Sequence, residues 1–198
     1  NRSIMNKKKY ATIQIDVDGL WVIFQHFGLT LHKEEDILYN SALPRFLELF
    51  KAYNIKATFF VVGRDLYVPA RVAFLQQAIE DGHEIANHTM THTEGFSYKT
   101  KDEKIEEITT AEKLIESVLG KRPRGFRTPS NDVDEETLRI LEDRGYLYDS
   151  SLMPTFYGPL LKRLKFVKLK IKRKDNYLGK WHYGLSPLTP YHPSPTGI

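Results

Sequence analysis

Cysteine is absent from all 198 residues, which excludes a disulfide framework, thiolate metal sites and a cysteine nucleophile together. Any bound metal must therefore be held by His, Asp or Glu. No apolar run approaches the length of a membrane-spanning helix. Internal repeats and low-complexity tracts are also missing, as are Gly/Ser-rich linkers before the last dozen residues, so nothing marks a solenoid or a domain boundary. Residues 1–9 lack the apolar core of a signal peptide; because the chain does not start with Met, a trimmed leader is the expectation. The compartment stays open, since reducing and oxidising environments both tolerate cysteine-free proteins.

What is present suits one globular domain spanning residues 1–198. Hydrophobic side chains make up 41%, aromatic ones 12% and charged ones 27%, enough apolar material for one core and too well mixed for a disordered chain. The formal charge of +4 is modest, and much of it comes from residues 162–174. From Lys168 onward that run alternates basic and apolar, as a half-buried strand with a basic outer face would. A solvated face is the default reading, with an anionic glycan or a membrane surface as the sharper alternative. No nucleic-acid-binding motif accompanies the charge.

Periodicity predicts strands at 10–15 and 55–62, with a helix between them over 42–53 carrying Leu43, Phe46, Leu47 and Phe50 on one side. The alternation continues with a helix over 69–79, a strand at 83–86, and a long helix over 101–119 closed by Gly120. A short strand at 125–127 follows, then a helix over 134–144 opened by Asp132 with Glu135 in capping-box spacing. This order predicts an α/β architecture with a mainly parallel sheet, open or closed into a barrel. Chemistry in such folds sits at the carboxyl ends of the strands. Asp16 and Asp18, then Asn87 and His88, then Arg127 fall at those ends.

His88 and His92 are four residues apart, so one helical turn would place both imidazoles on one face, close enough to share a cation. Taken alone, the spacing is as readily two surface histidines. Asp16 and Asp18 stand two apart on an extended segment and point the same way; two crowded carboxylates call for a counter-charge, for which a metal is the simplest source. The plain alternative is an Asx-rich turn ending the strand at Asp18-Gly19. Two imidazoles and one carboxylate form a three-ligand set with open positions, as hydrolytic metals use, and the second carboxylate then serves as general base. Spacing leaves open which aspartate does which. Arg127 would orient the base and keep it ionised if the two meet; by itself it reads as a surface ion pair.

Taken in order, these pieces resemble the polysaccharide deacetylase family, carbohydrate esterase family four. The matching segments are IDVDG at 15–19, ATFFVVG at 57–63, GHEIANHTMTH at 82–92, GFRTP at 125–129 and YDSS at 148–151, so the resemblance is clearest over residues 10–155. It implies a distorted (β/α) barrel of mainly parallel strands and a divalent cation, usually zinc with cobalt or nickel as substitutes. It also implies removal of N- or O-acetyl groups from a carbohydrate. By motif position it implies Asp16 as base, Asp18, His88 and His92 as metal ligands, and Arg127 holding Asp16. Pro129 and Ser130 would meet the substrate, the backbone N–H near Ser130 serving as oxyanion donor.

Three departures qualify the match. The first motif is Asp-Val-Asp where most chitin and peptidoglycan deacetylases have adjacent aspartates, a spacing resembling the branch that also contains hydrolases of cyclic amides and ureides. Ser130 stands where many chitin-type members carry an aromatic residue. The family's general acid is a late histidine, and only His182 and His192 follow Arg127, neither in a matching context. The Pro-rich ending reads as an unfinished connection, with the acid and the closing strands expected beyond Ile198. Two alternatives therefore stand beside the deacetylase: a small cyclic-amide or ureide hydrolase, and a non-catalytic carbohydrate- or metal-binding domain. His83 reads as a packing or hydrogen-bonding residue. His26 and His32 lie in an aromatic-rich segment, 20–40, that reads equally as a lid or as core filling.

Overall fold

The computed structural model describes residues 11–29, 37–152 and Ser186. The basic run 162–174, His32, His182, His192 and the Pro-rich ending lie outside these residues. Five strands, β1 (Ile13–Val17), β2 (Ala57–Val61), β3 (Glu84–Asn87), β4 (Gly125–Phe126) and β5 (Tyr148–Asp149), form one parallel sheet in the order β1-β2-β3-β4-β5. Sequential order with every neighbour parallel requires a crossover on the same face each time, which is how a (β/α) barrel is wound. The crossovers carry helices α1 (Leu20–His26), α2 (Leu43–Ala52), α3 (Pro69–Glu80), α4 (Lys101–Leu119) and α5 (Glu135–Asp143).

The strand period of two sorts side chains cleanly. Ile15 and Val17 of β1, Phe59 and Val61 of β2 and Ile85 of β3 face the helices, where Leu43, Leu47 and Phe50 of α2, Leu75 of α3 and Ile115 of α4 complete the core. A second cluster joins Phe96, Ile108 of α4, Phe126 of β4 and Ile140 and Leu141 of α5. Alternate residues point to the other face and are largely polar. Gln14 pairs in register with Thr58, and Thr58 with Glu84, while Tyr148 hydroxyl and Thr58 hydroxyl both donate to Glu84 Oε2 at 2.8 Å.

Helix α4 has the predicted span. Thr100 and Glu103 cap it reciprocally, and Gly120 ends it in the left-handed region at φ 71°. The start of α5 differs from the expectation. Its cap is Asp134, whose side chain accepts from the Thr137 N–H at 2.9 Å, because Thr137 is the residue whose amide lacks a helical partner. Asp132 instead accepts from Ser97 N at 3.1 Å, tying the segment before α4 to the one before α5.

Candidate metal centre

β1 ends at Val17, so Asp18 projects from its carboxyl end. His88 directly follows β3 and hydrogen-bonds through its backbone N–H to Val61 O of β2 at 2.9 Å. The two histidines do not share a helical turn, contrary to the spacing argument. They flank a loop in which Thr89 (φ 65°) and His92 (φ 51°) are both left-handed, and this reversal brings the rings to a centroid separation of 5.1 Å at 67°. Asp18 Oδ1 lies 3.4 Å from Nε2 of His88 and 3.4 Å from Nε2 of His92. Asp18, His88 and His92 thus form a set that could hold a metal ion, with one ligand atom from each within 4.8 Å of the others.

The bonding around this set suits a cation. His88 Nδ1 sits 2.7 Å from the carbonyl oxygen of Arg127, so Nδ1 carries the proton and the Nε2 lone pair faces Asp18. Asp18 Oδ1 is buried without a well-aligned hydrogen-bond partner, so two electron-rich atoms face each other across 3.4 Å. Burial alone would raise the Asp18 carboxyl pKa, yet His88 and His92 hold it well below the usual carboxylate range. Burial would lower His92, but Asp18 raises it above its ordinary value. Both directions mean that the three side chains favour a positive charge between them, from a proton or from a metal ion.

Asp16, two residues back on the same face of β1, is engaged differently. Arg127 Nη1 donates to its Oδ1 at 2.6 Å. The same guanidinium donates through Nε to Ser150 O and through Nη2 to Ser150 Oγ, both at 2.9 Å, and through Nη2 to Gln14 Oε1 as well. Its plane stacks 4.2 Å from the Phe60 ring. Geometry thus separates the two aspartates that spacing left equivalent: Asp18 faces the imidazoles and Asp16 faces the guanidinium. Arg127 serves both halves, its carbonyl fixing His88 and its side chain fixing Asp16.

Beyond β4, Pro129 is buried and Ser130 exposed. Ser130 and Asn131 are both left-handed, at φ 58° and 55°. Sequence reasoning missed Gln14 and the part played by Ser150; the period-two series Gln14, Asp16, Asp18, running along β1 and one residue past its end, was the available signal for the first. His83 has the packing and bonding place expected of it, its Nδ1 accepting from Ala57 N at 3.0 Å. A cavity of about 880 Å³ lined by residues such as His83, Glu84, Lys121 and Arg124 lies at the opposite, amino end of the strands and has no part in this cluster.

The family model for polysaccharide deacetylase matches residues 34–148. The chain belongs to the polysaccharide deacetylase family. The match begins after Asp16 and Asp18, so it is the sheet that brings those two carboxylates to the family's region. A peptidoglycan-N-acetylglucosamine deacetylase from Bacillus cereus is 33% identical over 104 residues, covering 52% of this chain and 46% of the relative. Chitin deacetylase 1 from Cryptococcus neoformans is 34% identical over 102 residues, covering 52% of this chain and 21% of the relative. Among solved structures, a Mycobacterium smegmatis protein provisionally named a polysaccharide deacetylase superposes with a TM-score of 0.61 at 26% identity, over 72% of this chain and 50% of that one. The chain spans less than half the length of either curated relative. The fold is the distorted (β/α) barrel of these deacetylases, of which the described residues supply five parallel strands.

Proposed function

We propose that this polysaccharide deacetylase family member removes acetyl groups from a carbohydrate, with a divalent metal ion, zinc by preference and cobalt or nickel as substitutes, held by Asp18, His88 and His92. One observation carries the reading: a carboxylate oxygen stands 3.4 Å from two imidazole nitrogens, while a second carboxylate on the same strand face is clamped by Arg127 at 2.6 Å. A His₂Asp set leaves coordination positions open, and a divalent ion there would lower the pKa of a water and polarise an acyl oxygen. Asp16 is the base. Its Oδ1 is taken by Arg127, which fixes the carboxylate plane and leaves Oδ2 to accept a proton as the water oxygen bonds to the acyl carbon. The backbone N–H near Ser130 is the donor proposed for the developing oxyanion, with Pro129 shaping the wall beside it. Cleavage of the C–N or C–O bond then releases acetate, and the leaving amine or alcohol takes up a proton. N-acetylglucosamine polymers are the first substrates to try, because the relatives' names specify peptidoglycan and chitin.

The test is acetate release from chito-oligosaccharides and peptidoglycan fragments by metal-reconstituted protein, with metal content measured alongside. Acetate should be lost in both Asp16→Asn and His88→Ala, and metal lost only in the second. Wild type that binds metal yet releases no acetate from any of these would overturn the deacetylase reading in favour of a cyclic amide or ureide substrate, which the Asp-Val-Asp spacing supports, or of a binding domain.

A further inference from the structure

The loop between the two histidines has an unusual conformation to sustain, since Thr89 is β-branched and left-handed and His92 is left-handed as well. Five of the backbone groups of residues 89–91 are held from outside the loop. Thr89 N donates to Asn87 Oδ1 at 2.9 Å. The Thr89 and Met90 carbonyls accept from Gly63 N and Arg64 N, each at 2.9 Å. The two amides that remain, Met90 N and Thr91 N, converge on a single oxygen, Glu107 Oε2, at 3.0 and 2.9 Å, while Thr91 Oγ1 donates to Glu107 Oε1 at 2.6 Å. Among the described residues no other group accepts from these amides.

Glu107 lies in the second turn of α4, a helix whose own placement is fixed. Lys104 bonds Asp134 and Glu136 at 2.7 and 2.8 Å, and Ile108 O accepts from Asn87 Nδ2 at 3.0 Å. Asn87, the residue just before His88, therefore links the same helix to the loop through its bonds to Ile108 O and Thr89 N.

We infer that Glu107 is a positioning residue for the metal centre: by accepting from Met90 N, Thr91 N and Thr91 Oγ1 it sets the backbone conformation that turns His92 toward Asp18 and His88. The inference rests on the metal-centre reading above. It makes a distinctive demand on chemistry, namely hydrogen-bond reach more than charge. Gln at 107 can meet every contact: its carbonyl oxygen accepts both amides, and its NH₂ donates to Thr91 Oγ1. The Thr91 hydroxyl then donates to Thr93 Oγ1, 2.7 Å away. Asp keeps the charge but withdraws the carboxylate by one carbon, about 1.5 Å, out of bonding range of the loop.

The experiment is zinc affinity by competition with a chromophoric chelator, on the full chain carrying Glu107→Gln, Glu107→Asp or Glu107→Ala, with amide hydrogen exchange at Met90 and Thr91 measured without metal. Glu107→Gln should stay within about threefold of wild type, whereas Glu107→Asp and Glu107→Ala should bind zinc about 10- to 100-fold more weakly and exchange the two amides faster. The Gln and Asp variants keep a polar side chain and decide the matter even if Glu107→Ala does not fold. Wild-type zinc affinity in Glu107→Asp would overturn the inference alone, as would equal weakening in Glu107→Gln and Glu107→Asp. A wild-type protein that takes up none of zinc, cobalt and nickel would overturn the metal-centre reading and this inference with it.

Discussion

Arg127 concentrates the site's organisation in one residue, because its backbone and its side chain act on different partners. The carbonyl orients His88, and the guanidinium distributes its donors over Asp16, Ser150 and Gln14 while stacking on Phe60. Lysine at 127 would keep a positive charge, but a single ammonium lacks the planar fork that bonds Asp16 and Ser150 together. Arg127→Lys should therefore lower the rate constant of the proposed deacetylation by about 100-fold, the scale expected when a reacting group is misplaced by an ångström. Metal content should stay at the wild-type level, because residue 127 still presents its carbonyl to His88. Loss of metal in this variant would show that the guanidinium, and not the backbone, supports the histidine.

Elements matter here through how closely they approach. β4 is two residues long, and Gly125 pairs with Tyr148 of β5; a Cβ at 125 would collide with the Tyr148 ring and hydroxyl. Moving that ring would also break its bond to Glu84. Gly125→Ala should thus cost about 1–3 kcal/mol, the usual range for forcing an extra carbon into a packed site, read as a lower urea midpoint at unchanged slope. A midpoint equal to wild type would mean that the ring moves freely. The same closeness explains what could be foreseen. Long elements with local signals, such as α4 with its amphipathic spacing and closing Gly120, were legible in the sequence, although its Thr100–Glu103 box emerged only from the structure. β4 and β5 are too short to carry a period: the alternation of elements marked the first, at 125–127, and the second was not foreseen as a strand. The His88–His92 loop was misjudged as a helical turn because its shape comes from Gly63, Arg64, Asn87 and Glu107, partners that spacing within the motif does not reveal.

At the scale of the whole molecule, sequential parallel strands bring Asp18 beside His88 and His92 although some seventy residues separate them, and the strand-end rule sufficed to anticipate that gathering. It gave no view of the interior polar layer or of the buried titrating groups, which set how stability should follow pH. The His83 imidazole is held below its ordinary pKa by burial and by nearby Lys56, so the unfolded chain binds its proton first and stability falls as pH drops below about 6.5. Burial pushes the Asp149 carboxyl up to about 6 against its bonds to Ser151 and the field of Arg127. There the folded state binds the proton first, and stability rises as pH drops from about 6 toward about 4. Glu112, held low by Arg144 and Arg122 against its burial, begins to lose its contribution as pH falls through about 4.5, and Asp134, held low mainly by Lys104 against its own burial, does so as pH falls through about 3.8. Asp18 follows Asp134, whereas the raised His92 acts above about pH 6.5. Between about pH 5 and 6, above the range where Glu112 begins to titrate in the unfolded chain, the opposing slopes of His83 and Asp149 should leave the metal-free wild type with a shallow dependence of thermal midpoint on pH. Asp149→Asn should expose the His83 slope, with stability falling steadily toward acid. His83→Asn, whose Oδ1 can still accept from Ala57 N–H, should expose the Asp149 slope, with stability rising over the same interval. Parallel curves for the two variants would show that neither group titrates differently in the folded chain.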